Sequence, residues 1–524
     1  MYSTTMLIIF IIYTITVLCL MFYGFHSYLM IILFYCKQKN ARKKVNEVVK
    51  GFYATNSDKD LPRITIQLPV YNEGEIVKRL MLSAAVIDYP KDKLDIQVVD
   101  DSSDNTVSII DKYTKELRET KGVDIYAVRR DTRENFKAGA LANGLKTAKG
   151  EYVAIFDSDF IIPENFLKRS IAQIHNKPEM ACVQTRWGHL NRFENWLTKA
   201  QSIALDAHFA ASQGARNYNN LLMNFNGTGG IWRISAIAAA GGWSGDTLTE
   251  DMDLSYRVQL HGYKMTFDFD LICPAELPNN MMAFKSQQKR WAKGAVETGI
   301  KLLPRIFRSK NLTLHQKFEA FMHLSNNFAA VLMIVLTLLT LPVIIGAPVV
   351  QYGAFLPVLW VIVVLAALAP CALYTGSGVA TKKGFFSFKN FPIMIAVGTG
   401  LCINNAIAVF EAVAGKKSAF IRTPKSGSSN NESKKSLYKV SSSKLFAGLF
   451  ELFLGIYCLI TFVFFITHYN YFFGFFIGAY AAGLIVFGYN TLQYIWSEHS
   501  LAKKNLSTEE ETIIAETQLN SSET

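Results

Sequence analysis

Apolar segments lie at both ends of this chain, and a stretch of mixed polarity separates them. The first apolar segment covers residues 6–36, and others follow residue 318. Runs of about 20 apolar residues are long enough to cross a membrane as helices. Residues 50–315 instead alternate polar and apolar segments, as a globular domain does. The 524 residues are therefore expected to form an α/β domain inserted in an α-helical transmembrane bundle.

The charge pattern supports a membrane partner and not a nucleic acid. The formal net charge is +12, but the Lys and Arg residues gather beside the apolar runs, as in residues 37–44. Such clusters keep the adjoining domain on the cytoplasmic side of the membrane. The seven cysteines contain no CxxC pair, which predicts neither a zinc site nor a disulfide framework.

Composition divides the chain into eight regions. They are an N-terminal transmembrane anchor (1–36), the cytoplasmic domain (50–283), interfacial helices (284–320), two transmembrane helices (321–380), an interfacial or re-entrant helix (391–414), a cytoplasmic loop and linker (415–444), two transmembrane helices (445–495) and a disordered polar tail (500–524). Basic loops flank residues 391–414 on both sides, which favours five spans. A sixth span at this place is the alternative.

Four β-rich runs, residues 64–70, 95–100, 123–129 and 151–156, alternate with helical patterns in the first half of the domain. This order predicts βαβ units and a mainly parallel, Rossmann-like sheet. Ligands of such sheets bind at the carboxyl ends of the strands. Acidic and polar residues follow three of the four runs at that edge.

Asp157 and Asp159 follow the fourth run and are candidate ligands of Mg²⁺ or Mn²⁺. A turn or helix cap explains the same residues. Asp100 ends the second run, where its carboxylate could accept hydrogen bonds from a base or ribose, with helix capping as the alternative. Lys137 offers a cation for a diphosphate, with a solvated helix lysine as the alternative. The glycines around Thr228 permit close approach of a ligand to the backbone, with a plain turn as the alternative.

Two later motifs supply the remaining candidates. Asp251, in the sequence Thr-Glu-Asp, is the candidate base that takes a proton from an attacking hydroxyl, and Asp253 competes for this role. The candidates for substrate binding near these two are Glu250, Gln287, Arg290 and Trp291. Arg290 suits a diphosphate, and the indole of Trp291 suits the apolar face of a sugar, although an interfacial membrane anchor is the alternative for this motif.

With these motifs in place, the chain resembles the processive branch of glycosyltransferase family 2, which includes cellulose, hyaluronan and chitin synthases. The resemblance is strongest to the cellulose-synthase-like A and C enzymes, which make mannan, glucomannan and xyloglucan backbones. Four strings carry it: residues 67–73 (QLPVYNE), 100–104 (DDSSD), 225–233 (FNGTGGIWR) and 287–291 (QQKRW).

The resemblance implies a GT-A fold and inversion at the anomeric carbon in one displacement. It assigns Asp100, Asp157 and Asp159 to nucleotide and metal, and Asp251 to the base. The 287–291 string is implied to bind the diphosphate and the acceptor end, and residues 420–425 resemble a cytoplasmic gating loop. Lack of a cyclic-dinucleotide domain and of plant-specific insertions predicts a compact bacterial enzyme of the inner membrane.

The first hypothesis is therefore a synthase that polymerises a β-linked polysaccharide from GDP-mannose or UDP-glucose and threads it through its own spans. Its partners would be the nucleotide-sugar donor, the growing polysaccharide acceptor, the bilayer and envelope secretion proteins. The alternative is a single transfer to a lipid acceptor such as ceramide or polyprenyl phosphate. A non-enzymatic transporter or assembly protein is the third hypothesis.

Overall fold

The computed structural model describes residues 2–350, 355–382, 385–418, 442–468 and 471–522. One seven-stranded sheet of order β3-β2-β1-β4-β6-β5-β7 forms the centre of the globular domain. Its strands are β1 (Ile64–Val70), β2 (Leu94–Asp100), β3 (Asp124–Val128), β4 (Tyr152–Ile155), β5 (Met180–His189), β6 (Gly230–Arg233) and β7 (Lys264–Ala275). The four predicted strands agree with β1 to β4 to within one residue at each end.

Strands β3, β2, β1 and β4 are parallel to one another, and β5 is parallel to β7, whereas β6 lies between β4 and β5 and runs antiparallel to both. The predicted mainly parallel sheet is thus confirmed. Both faces of the sheet are covered, which explains why β2 is buried along its whole length. In β4, Tyr152 and Ala154 pack in one apolar core, while Val153 and Ile155 pack in the other. This alternation follows from the two-residue period of a strand.

Eleven helices precede the later membrane segments in the described part of the chain. They are α1 (Tyr2–Thr55), α2 (Gly74–Ala85), α3 (Thr106–Lys121), α4 (Phe136–Leu145), α5 (Phe166–Ile174), α6 (Trp196–Asp206), α7 (Gly214–Tyr218), α8 (Ile234–Ala239), α9 (Glu250–Leu260), α10 (Met281–Arg308) and α11 (Leu314–Ser325). A π-helical stretch, Ala207–Gln213, joins α6 to α7. The predicted anchor, residues 1–36, is the first part of α1, which continues to the domain and binds it through an Arg42–Asp270 ion pair.

The remaining helices are α12 (Phe328–Val350), α13 (Phe355–Ala380), α14 (Phe391–Gly400), α15 (Cys402–Val413), α16 (Ser442–Thr467) and α17 (Tyr471–Ser522). Six helical segments among the described residues are long and apolar enough to cross a membrane. They lie in α1, α12, α13, the α14–α15 pair, α16 and α17. The chain thus has a GT-A-type α/β domain joined to a multi-pass helical bundle.

The weakly apolar segment 391–414 forms α14 and α15, which are interrupted at Leu401. It is one of the six apolar segments, and whether it lies in the interface or crosses the bilayer stays a prediction. The tail 500–524 differs from its prediction as a disordered segment, because α17 continues to Ser522. The gating-like motif at 420–425 lies outside the described residues.

Helix α10 is bound to the membrane bundle by a buried ion pair. Lys285 Nζ lies 2.6 Å from Glu451 Oε1 of α16 and 2.8 Å from Thr491 Oγ1 of α17. The backbone carbonyl of Lys285 also accepts a hydrogen bond from Asn404 Nδ2 at 3.0 Å. Since Glu451 is fully buried, its charge depends on this partner. The contact fixes the start of α10 relative to three other helices.

Replacement of Lys285 by Met should destabilise the protein, because it leaves Glu451 buried without its cation, at a cost of about 3–5 kcal/mol. Thermal unfolding in detergent should show a clearly lower midpoint. The double variant Lys285→Met, Glu451→Met should recover most of the loss, because it removes both charges. Lys289→Met is the matched control, since Lys289 forms a more exposed pair with Glu411. An unchanged midpoint for Lys285→Met would contradict the assignment.

Candidate functional site

The carboxyl ends of β1, β2 and β4 open into one cavity, and most of the predicted site residues line it. Tyr71 follows β1, Asp101 follows β2, and Asp157 and Asp159 follow β4. The predicted site residues along its wall are Lys137, Asp157, Asp159, Glu250, Asp251, Gln287, Arg290 and Trp291. The acidic turns and the α10 motif, which are far apart in the sequence, therefore meet at one place.

Asp251 lies in the first turn of α9, and its Oδ1 accepts a hydrogen bond from the backbone N–H of Met252 at 2.8 Å. Gly227 packs against it in a left-handed conformation with φ of 81°. A Cβ atom at Gly227 would lie 3.0 Å from Asp251 Oδ2 and 3.6 Å from Lys137 Nζ. Glycine thus lets the chain pass close to both charged groups.

Burial and the neighbouring carboxylate of Glu250 raise the pKa of Asp251 to about 7. The Met252 N–H and the cations of Lys137 and Arg290 oppose this rise. A carboxyl group with a pKa near neutrality is well suited to proton transfer at physiological pH. Asp251 is therefore a general-base candidate on grounds of geometry and of proton affinity.

Lys137 reaches the cavity from the first turn of α4. Its ammonium forms an ion pair with Asp157 and donates to the carbonyl of Gly227 at 2.8 Å. Burial alone would lower the pKa of Lys137, but the attraction of Asp157, Glu250 and Asp251 raises it above its ordinary value. Lys137 therefore stays charged and can compensate an anionic ligand group in the cavity.

The donor set at Asp157 and Asp159 fits a cation that arrives with a diphosphate. Within the described ranges no group of three or more His, Cys, Asp or Glu side chains could hold a metal ion. Mg²⁺ commonly takes one or two protein carboxylates and completes its shell with phosphate oxygens and water. Two aspartates on the cavity wall meet that need, and the phosphates of the ligand would supply the rest.

Two predicted residues do not line the cavity. Asp100 is buried, where its Oδ2 accepts from Arg129 Nε at 2.8 Å and its Oδ1 from the N–H of Ser102 at 2.9 Å. Asp101 lies on the cavity wall in its place, because successive residues at a strand end point in opposite directions. Thr228 is also buried, and its hydroxyl accepts the N–H of Asp157 at 2.9 Å. It supports the strand end that carries Asp157.

Asp253, the competing base, is excluded by its partners. It is fully buried, and its Oδ2 lies 2.7 Å from Arg257 Nε while its Oδ1 lies 2.7 Å from Lys301 Nζ. Both of its oxygens thus contact cations away from the cavity wall, so the carboxylate does not meet a hydroxyl bound in the cavity. Asp253 therefore stabilises α9, and Asp251 alone of the two lines the cavity.

Sequence reasoning missed the stacked pair of Tyr71 and Arg133. The guanidinium carbon of Arg133 lies 3.3 Å from the centre of the Tyr71 ring, and both residues line the cavity beside Asp101. Asp101 in turn binds Arg130 through two hydrogen bonds of 2.7 and 2.6 Å. The position of Tyr71 directly after β1 was a usable signal, whereas Arg133 follows no recognisable pattern.

The family comparison agrees with this geometry. The model described as glycosyl transferase family 2 matches residues 65–237, and the model of glycosyl transferase family group 2 matches residues 152–374. Over residues 65–374 the chain is thus related to glycosyltransferase family 2. The two matched regions together contain β1 to β7, the candidate base and the 287–291 string.

Two similar curated relatives are plant proteins. Probable glucomannan 4-beta-mannosyltransferase 11 of Arabidopsis thaliana is 38% identical over 263 residues, which are 50% of this chain and 59% of the relative. Glucomannan 4-beta-mannosyltransferase 2 of the same species is 40% identical over 261 residues, or 49% of each chain. The chain thus spans about half the length of the curated relatives it matches. The predicted resemblance to the cellulose-synthase-like enzymes is confirmed.

Among solved structures, the mannosyltransferase PcManGT from Pyrobaculum calidifontis, in complex with GDP-Man and Mn²⁺, is similar with a TM-score of 0.49 and 18% identity. The match covers 77% of this chain and 100% of that one.

A second cavity continues from the first toward the membrane helices. The two share Trp187, Leu205, Asn226, Thr249, Asp251, Gln287 and Trp291. A third cavity, inside the helical bundle, shares Ser27, Asn326, Tyr374, Met394 and Gly398 with the second. The candidate base therefore lies on the wall shared by the first two of three adjoining cavities, a series here termed the path, which reaches into the bundle.

The raised pKa of Asp251 predicts an acid limb in the pH–rate profile, in which activity is lost as the pH falls. The base works in its ionised form, so the rate of sugar transfer should fall as the pH drops below about 7. Glu250→Gln removes a nearby negative charge and should move this limb to lower pH, whereas Lys137→Met removes a positive charge and should move it higher. Initial rates measured between pH 5 and 9, on the order of ten points, would show the shifts.

Glu116→Gln serves as the control for these profiles, since Glu116 is exposed on α3. It should leave the limb unchanged. Shifts of Glu250→Gln and Lys137→Met in the same direction would contradict Asp251 as the titrating group.

Proposed function

We propose that the chain is an inverting hexosyltransferase that polymerises a β-linked polysaccharide of the mannan, glucomannan or β-glucan type from GDP-mannose or UDP-glucose. The observation that carries this is the single cavity lined by Asp159, Asp251 and Trp291, with its continuation into the membrane bundle. The plant relatives, named as glucomannan 4-beta-mannosyltransferases, support the class of product.

In this proposal, Asp251 accepts the proton of the acceptor hydroxyl as its oxygen attacks the anomeric carbon of the donor. Lys137 and Arg290, whose charges both act on Asp251, would stabilise the negative charge that the diphosphate leaving group gains. Trp291 gives a flat apolar surface for the sugar at the acceptor end. A divalent cation held by Asp157 and Asp159 would stabilise the departing diphosphate.

The second cavity favours an uncharged acceptor. Burial, together with the charge of Arg216, lowers the pKa of His208 to about 4 and lowers that of His323 well below its ordinary value, so both rings are neutral at pH 7. Arg216 pairs with Glu319, Nε to Oε1, at 2.9 Å. An anionic acceptor such as a polyprenyl phosphate would find the Arg216 cation already paired with Glu319, whereas a polysaccharide needs only hydrogen bonds and apolar surface.

Membrane sidedness follows from the basic residues beside the spans, which favour a cytoplasmic domain. The curated relatives come from plants and give no support to the predicted bacterial inner membrane. The proposal is therefore a cytoplasm-facing domain on a multi-pass membrane protein, and the identity of the membrane stays a prediction.

The direct test supplies purified protein with radiolabelled GDP-mannose or UDP-glucose, each with Mg²⁺ or Mn²⁺. We expect polymer from at least one donor, loss of product with a chelator, and a fall in rate of about 100-fold or more for Asp251→Asn. Glu116→Gln is the matched control and should keep full activity. Product that is soluble in organic solvent and carries one sugar would favour the lipid-acceptor alternative.

Chain length should depend on the passage between the second and third cavities. Gly398 lines both, and a Cβ atom there would meet nothing within 4 Å, so Gly398→Phe can be accommodated while its ring enters the path. We expect products of a few sugars at a near-normal initial rate, measured by gel electrophoresis of labelled products. Gly51→Phe on α1, equally open, is the control. Full-length polymer from Gly398→Phe would contradict export along this path.

A further inference from the structure

The segment that precedes Asp251 lies directly on α10. Gly294 of α10 faces Thr249, and a Cβ atom at Gly294 would lie 2.5 Å from Thr249 Cγ2 and 2.8 Å from its backbone nitrogen. The hydroxyls of Thr249 and Thr298 are 3.3 Å apart. Only a residue without a side chain permits this approach. The two elements therefore meet at backbone distance, two residues from the candidate base.

Glu297 binds the same segment through its backbone. Its Oε2 accepts the N–H of Leu248 at 2.9 Å, and its Oε1 lies 3.9 Å from Lys293 Nζ. Lys293 is almost fully buried and also binds the Lys416 carbonyl and the Ser418 hydroxyl. The Glu297 carboxylate thus contacts both the Leu248 N–H and Lys293, and it holds the backbone just before Thr249 against α10.

Lys301, one turn further along α10, bridges both ends of the segment. Its Nζ lies 2.8 Å from Asp246 Oδ2 and 2.7 Å from Asp253 Oδ1. Asp246 precedes Asp251 and Asp253 follows it, so the candidate base is enclosed between two contacts to one ammonium group. Neither Glu297 nor Lys301 lines the cavities described above. Their effect on the reaction must pass through the segment that they bind.

We propose that Glu297 and Lys301 are positioning residues that fix the segment 246–253 on α10 and thereby set the place of the Asp251 carboxylate. Gln287, Arg290 and Trp291 project from the same helix, so these contacts fix the distance from the base to the acceptor end. The proposal rests on the proposed function, in which Asp251 is the base. Displacement of a reacting group by about 1 Å can lower a rate by about 100-fold.

Paired substitutions at Glu297 separate positioning from stability. Glu297→Gln keeps an oxygen that accepts the Leu248 N–H and should retain kcat within about threefold, whereas Glu297→Leu removes it and should lower kcat by about tenfold or more. KM for the donor should stay within about twofold of the unaltered value for both variants, because residue 297 does not line the cavity. Arg305→Leu, an exposed site on α10, is the control.

Lys301 provides a second, independent pair. Lys301→Arg keeps a cation for both aspartates and should restore most of the activity that Lys301→Gln loses. Each variant is compared per mole of folded enzyme, judged from its thermal midpoint and its affinity for GDP or UDP with Mg²⁺. These readouts keep the test valid if Glu297→Leu does not fold.

Normal kcat per folded enzyme in Glu297→Leu or Lys301→Gln would overturn the proposal. A loss of kcat that is matched by an equal loss of nucleotide affinity, or that Gln at 297 and Arg at 301 do not rescue, would also overturn it in favour of a general structural role. Failure of the proposed function has a different signature, since the unaltered protein would then transfer no sugar from either donor.

Discussion

Helix α10 is the element on which the distances in this molecule depend. From Lys285 to Lys301 it spans about 24 Å at 1.5 Å per residue, and a helix of this length is close to a rigid rod. Its first turn is bound to α16 and α17 through the buried Lys285–Glu451 pair, and its second half carries the contacts to the Asp251 segment. Between these contacts, Gln287, Arg290 and Trp291 have the i, i+3, i+4 spacing of one helix face. Helix α10 therefore connects the membrane bundle, the cavity wall and the candidate base rigidly to one another.

Much of this arrangement was predictable because it follows local rules. The first four strands show continuous or alternating apolar patterns, and the carboxyl-end rule for parallel sheets places Asp157 and Asp159 together without any knowledge of their contacts. The choice between Asp100 and Asp101 depends on which way each side chain leaves the end of β2, and a pattern read to within one residue does not determine that. The role of Asp253 likewise depended on Lys301, which is distant in sequence.

The proton affinity of Asp251 was beyond sequence reasoning for a related reason. Glu250 is its chain neighbour, but burial is the largest cause of the raised pKa, and Lys137 of α4 and Arg290 of α10 oppose the rise. A first-turn aspartate on an exposed helix would instead be stabilised in its ionised form by the helix dipole. Only the packing of three elements around the carboxylate reverses that expectation, and it does so while leaving the group on the cavity wall.

The placement of charge along the path makes sense for a chain that stays bound between additions. Charges concentrate at the first cavity, where a nucleotide diphosphate would need them, and give way in the second to neutral imidazoles and a compensated Arg216. A neutral polymer would meet hydrogen-bonding groups there but no strong, uncompensated charge. No single position along the path would therefore bind it strongly. Because Asp251 and Trp291 belong to both cavities, a newly extended end could return to the base after a shift of one unit, without leaving the enzyme.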